Sequence, residues 1–192
     1  MGYRQAAVLT SVSFFLGVLF ICLNVDYRVL FTPLSEDVIK DGLEFYTTFY
    51  NAPAGIKALM HAIMGVGIIG LVGKLHKWDE SAMFFDGSSL AAYIFALAVY
   101  LSVGVPASHT VAAPLPELTR KDQVEALRVL SAGNTIIIVL LGAVLVLQAG
   151  EGYARRIEAG AAAAITPATS KPAPSRPQEA GEEATEESKK DQ

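Results

Sequence analysis

Apolar residues in this chain do not alternate or recur once per turn. They pool into four blocks, Ala6 to Val25, Ile56 to Gly73, Ser89 to Val105 and Val129 to Ala149, and no block contains an Asp or a Glu. An apolar run of about 18 to 20 residues crosses a bilayer as a helix that rises about 1.5 Å per residue. Backbone polar groups in lipid must be satisfied within their own segment. Four such blocks therefore predict an all-α, polytopic membrane protein, a bundle of four transmembrane helices. The expected spans are 6–25, 56–73, 89–105 and 129–149, within a membrane domain over 1–158, followed by a disordered cytosolic tail over 159–192.

The second block is the most explicit. Its only strongly polar residues are Lys57 and His61, and it carries Gly65, Gly67, Gly70 and Gly73. In water each glycine would weaken a helix by roughly 1 kcal/mol. In lipid, small residues let a neighbouring helix approach closely, which holds membrane helices together where no hydrophobic force does. Ala58, Ala62, Gly65 and Gly73 share one face, with Gly67 and Gly70 on an adjoining strip. Gly65, Gly67 and Gly70 also spell GxGxxG, but a dinucleotide site needs a strand before that motif and an acidic residue about 20 positions on. A continuous apolar segment offers neither.

The other blocks carry similar packing signals. Ser13 and Gly17 lie one turn apart in the first, which runs on into Asn24 and Asp26 without the small-residue cleavage site of a secretory signal. It reads as a retained anchor. In the third, Ala92 with Ala96 and Ala98 with Ser102 lie four apart, and Pro106 is expected to end the span. The fourth should begin outside the lipid, because Thr119 followed by Asp122 forms a capping box. Asn134 within it needs a partner. With the second and fourth helices parallel, His61 and Asn134 both lie roughly 8 Å below one surface, at about 1.5 Å per residue, with Ser102 at comparable depth. The three together predict a small polar layer, at about 1 kcal/mol per hydrogen bond.

Between the first two spans Ser35 is an N-cap signal, Glu36 and Asp37 suit a first turn, and Pro53 lies beyond the end. Ile39, Leu43, Tyr46 and Tyr50 recur at helical spacing, flanked by Phe45 and Phe49. This amphipathic helix either lies on the membrane surface or caps the bundle, as a binding patch or merely a covered one. Lys74, Lys77, Trp78, Phe84 and Phe85, between the second and third spans, read as interfacial anchors.

Composition narrows the chemistry. The chain is 52% hydrophobic, with a net charge of −4 set by an acidic first loop and tail, so no face suits nucleic acid. Its single cysteine, Cys22, excludes an intrachain disulfide and a cysteine metal cluster. Enzymes and ion-coupled carriers need titratable groups inside a site; the spans offer His61, while Lys57 can snorkel. His76 and His109 have no metal-ligand spacing around them. No nucleophile, base and orienter assemble, so neither an enzyme nor a cofactor is expected.

Basic residues do not decide orientation: Arg4, Lys74, Lys77, Arg155 and Arg156 face one side, and Arg28, Lys40, Lys57, Arg120, Lys121 and Arg128 the other. The chain ends KKDQ, and Lys189 and Lys190 either resemble a dilysine retrieval signal or are two lysines in a charged tail. A working signal places both termini in the cytosol of an endoplasmic reticulum protein. Small-residue faces and a few polar groups then suit transient binding of other transmembrane helices, the profile of an assembly factor.

The runs FFLGVLF (Phe14 to Phe20), DYRVLFTP (Asp26 to Pro33), GVGIIGLVGK (Gly65 to Lys74) and RVLSAGNTIIIVLLGAVLVLQAGEGYARR (Arg128 to Arg156) resemble the fungal Shr3 family. The resemblance spans roughly residues 10 to 156. It implies a four-span packaging chaperone of the endoplasmic reticulum membrane that helps amino acid permeases fold and leave, with no cofactor. Its partners would be newly made permeases, the lipid bilayer and vesicle coat components met through the tail. Candidate helix-packing or client-binding positions are Gly17, His61, Ala62, Gly65, Gly67, Gly70, Ser102 and Asn134. A small transporter or channel subunit is the alternative, requiring a water-filled polar path. A lipid-modifying enzyme would require clustered His or acidic residues.

Overall fold

A computed structural model describes residues 2–76 and 80–165. These form α1 (Tyr3–Phe31), α2 (Glu36–Tyr50), α3 (Ala54–Leu75), α4 (Glu80–Val99), a π-helical stretch (Tyr100–Gly104), α5 (Val105–Ala112) and α6 (Arg120–Ile165), with no strand among the described residues. Among the described residues four helical stretches are long and apolar enough to cross a membrane: Tyr3–Phe31, Ala54–Leu75, Met83–Ala112 and Arg120–Ala162. They match the four blocks, each extended beyond its apolar core.

Local signals act as expected. Ser35 Oγ accepts from the Val38 amide at 3.4 Å and starts α2. Both arms of the capping box close ahead of α6: Thr119 N donates to Asp122 Oδ2 at 2.8 Å, and Asp122 N donates to Thr119 Oγ1 at 3.3 Å. Along α2, Ile39, Leu43 and Tyr46 are buried, so this helix caps one end of the bundle against α1, α5 and α6.

Pro106 does not end the third span. The ring of a proline clashes with the carbonyl four residues back in a regular helix. Here the turn ahead of it is widened: Val105 N donates to Tyr100 O, five residues back, and the chain continues as helix to Ala112. The α4–π–α5 rod therefore reaches the α2 end of the bundle and packs there. Helix α6 also runs past the expected domain boundary at 158, remaining helical through Ile165.

Helix α6 packs along α1 and α4, while α3 packs on α1 and α4. Helix directions alternate. The start of α1, the end of α3, the start of α4 and the end of α6 meet at one end, where Arg4 donates to the Gly73 carbonyl and Lys74 reaches both Asp86 and Glu151. Two apolar cores fill the interior. One, nearer the Lys74 end, joins Val8, Val12, Leu71, Tyr93, Ala96, Ile137, Leu141 and Val144. The other, under α2, joins Val29, Ile39, Leu43, Ala107, Val111, Leu127 and Leu130. Lipid tails are as apolar as these side chains, so packing density rather than escape from water holds the helices together. Gly67 and Gly70 set the closest approach of α3, lying against Ser11 and Tyr93 and against Val8 and the Arg4 carbonyl respectively.

Candidate functional site

Among the described residues, three polar groupings and a cleft interrupt the apolar interior. Under α2, the Asp26 carboxylate accepts from the Tyr46 hydroxyl and, at 3.1 Å, from Asn134 Nδ2; that amide also donates to Tyr46 Oη at 2.8 Å. All three side chains are buried. Burial, and then the facing Asp26 carboxylate, push the Tyr46 phenol above its ordinary value, so it remains a donor. Three helices, α1, α2 and α6, are tied through one carboxylate.

At the opposite end Lys74 is buried among acids. Its ammonium pairs with Asp86 at 2.7 Å and with Glu151, and donates to Gln148 Oε1 at 2.6 Å. Gln148 Nε2 donates in turn to Asp86 Oδ1 at 3.1 Å and Ser89 Oγ at 3.0 Å, and Arg155 pairs with Glu151 at 2.7 Å. Lys74 is thus a bundle residue, not the interfacial anchor expected from its place beside a block; Lys77 and Trp78 lie outside the described residues. Between the two ends, Ser11 Oγ donates to the Ile63 carbonyl at 2.8 Å and lies 3.0 Å from Tyr93 Oη, under Gly67.

The cleft, of about 500 Å³, lies between α1, α3, the α4–π–α5 rod and α6. It exists because α3 meets α1 closely from Ile63 to Gly73, through Gly67 and Gly70, while its first turns, Ala54 to Leu59, face outward. Phe15, Leu19, Met60, Met64, Leu97 and Ile137 line it; Tyr46 and Asn134 contribute at its α2 end, and Lys57 and His61 at its rim.

The expected polar layer of His61, Ser102 and Asn134 does not form. Asn134 is taken by Asp26 and Tyr46. His61 follows the diverging part of α3, with Nδ1 at 2.7 Å from the Lys57 carbonyl and its ring 6.2 Å from that of Tyr100. Ser102 sits in the π-helical stretch, faces outward and donates to the Ala98 carbonyl at 2.6 Å. Each side chain finds a nearer partner than the other two.

The small residues divide in two. Gly67 and Gly70 are buried within the bundle, whereas Gly17 and Ala62 face outward and an added Cβ at Gly17 or Gly65 would meet nothing within 4 Å. Lys189 and Lys190 and most of the expected tail lie outside the described residues. Asp26, Tyr46, Lys74, Asp86, Gln148 and Glu151 escaped the sequence reading as interacting groups. The available signal was sign and end: in an up-and-down bundle, a lysine closing the second span shares an end with an acid opening the third and an acid closing the fourth. Among the described residues no group of three or more His, Cys, Asp or Glu could hold a metal ion. The arrangement is one of binding surfaces and structural ties.

Set against known protein families, residues 2–190 match the model of the SHR3 chaperones, described as ER membrane protein SH3. No curated protein and no solved structure matches the chain.

Proposed function

The chain belongs to the SHR3 chaperone family, and from that premise we propose that this endoplasmic reticulum membrane chaperone serves newly made amino acid permeases, assisting their folding and exit by shielding their transmembrane helices. The observation that carries the reading is the extent of the match, residues 2–190, which takes in all four long apolar helices. The physical support is an outer surface built for other helices. Gly17, Ala62 and Gly65 are left uncovered by the chain's own described residues, so a client helix can come close there, and close approach is what stabilises helix pairs in lipid. Both termini lie in the cytosol in this reading, and the tail meets vesicle coat components, with Lys189 and Lys190 as the retrieval address.

A transporter would need a continuous wet path. The buried residues between the two polar ends include the apolar Val12, Leu71, Ile137 and Leu141, and the hydroxyls there, Ser11 and Tyr93, already pair with each other and with backbone carbonyls, which leaves water few partners. The deciding experiment is deletion of this protein, followed by extraction of newly made permeases in mild detergent. Permeases should aggregate and remain in the endoplasmic reticulum without it; unchanged solubility and export would overturn the proposal. Lys189→Ser with Lys190→Ser should release part of the protein from that membrane, and an unaltered distribution would remove the retrieval role.

A further inference from the structure

The cleft between α1, α3 and the α4–π–α5 rod measures about 500 Å³. A methylene takes up about the volume of one water molecule, ~30 Å³, so the cleft holds roughly 16 carbons, one fatty acyl chain. Its walls suit that occupant: Phe15, Leu19, Leu97 and Ile137 are apolar, and Met60 and Met64 can adjust to a flexible chain.

The rim supplies a charge. Lys57 lies in the first turn of α3, beside the start of the apolar run, with its ammonium 5.0 Å from the centre of the Tyr50 ring. Among the described residues it has no carboxylate within 4.0 Å, since Asp41 of the neighbouring α2 pairs with Arg28 at 2.8 Å and Glu44 with Lys40 at 3.9 Å. A cation at interface depth above a chain-sized apolar slot is the complement of an anionic amphiphile. We propose that the cleft binds one acyl chain of an anionic glycerophospholipid whose net negative headgroup is held by Lys57. This assignment is independent of which clients the chaperone serves.

The full chain, reconstituted in phosphatidylcholine vesicles, is probed with trace phosphatidylserine or phosphatidylcholine carrying a photoactivatable acyl chain, and the labelled peptides are mapped. Phosphatidylserine should label the Met60–Met64 and Leu97 segments above the outward-facing positions Phe20 and Val139, with a preference over phosphatidylcholine of about fivefold, the order expected for one lysine paired with one added headgroup charge. Lys57→Glu, a change at an outward-facing position, should abolish that preference while phosphatidylcholine still labels the cleft. Ala96→Phe, which fills the slot, should lower labelling by both lipids. If Ala96→Phe does not fold, Lys57→Glu decides alone. Equal labelling of cleft and outer surface, or a preference that survives Lys57→Glu, would overturn the assignment.

Discussion

A Cβ added at Gly67 would sit 2.5 Å from Tyr93 Oη and 2.6 Å from Ser11 Oγ, and one at Gly70 would sit 2.9 Å from Val8 Cγ2 and 3.2 Å from the Arg4 carbonyl oxygen. At Gly65, on the same helix, nothing lies within 4 Å. Gly67→Leu or Gly70→Leu should therefore lower bundle stability by about 1–3 kcal/mol, the ordinary range for overpacking. Gly65→Leu should leave it nearly unchanged. Thermal unfolding in mild detergent checks the contrast, and equal midpoints for Gly65→Leu and Gly67→Leu would show that the Gly67 contact is dispensable. The Asp26 triad makes a second residue-scale case. Tyr46→Phe leaves a buried carboxylate short of one donor, at about 1–3 kcal/mol. Because Asn134 donates to both partners, Tyr46→Phe and Asn134→Leu should couple in a double-mutant cycle by about 0.5–3 kcal/mol; additivity would mean that the three do not act together.

Between elements the decisive tie is Lys74, which joins α3 to α4 and α6 through Asp86, Gln148 and Glu151. Lys74→Met leaves two acids buried without that cation and should cost about 3–5 kcal/mol, the usual price of breaking a buried ion pair. The combination Lys74→Met, Asp86→Leu and Glu151→Leu should recover most of that loss. Unfolding titrations of both variants test it, and a single variant as stable as the parent would reduce the cluster to ornament. The same tie marks where the sequence stops being legible. Ser35 and Thr119 announce their helices because a cap acts within one turn, and the four blocks announce themselves because lipid imposes their length. Lys74 and Glu151 lie 77 positions apart, and a charge at a block edge looks alike whether it faces headgroups or another helix. Asn134 is legible as needing a partner, but Asp26 lies 108 positions away just past its own block, and depth alone points to His61 and Ser102 instead. Likewise, a proline ends a helix by local rule, and the widened turn that lets this helix continue past Pro106 lies packed against α6, a contact no local rule contains.

At the scale of the whole molecule, alternating helix directions place Gly2 and Gly160 toward one side and Leu115 toward the other. In a Cys22→Ser background, single cysteines at Gly2 and Gly160 should react with an impermeant reagent added from the cytosolic side of sealed microsomes, and one at Leu115 only after the vesicles are opened. Labelling of all three from one side would break the four-crossing arrangement. The length of α6 carries a further consequence. Its 46 residues amount to about 69 Å, against roughly 30 Å of hydrocarbon. The 16 residues between Ala149 and Ile165 form a boom of about 24 Å past the apolar block. A lateral tug on that boom would be felt by Glu151, Gln148 and their lysine at its root.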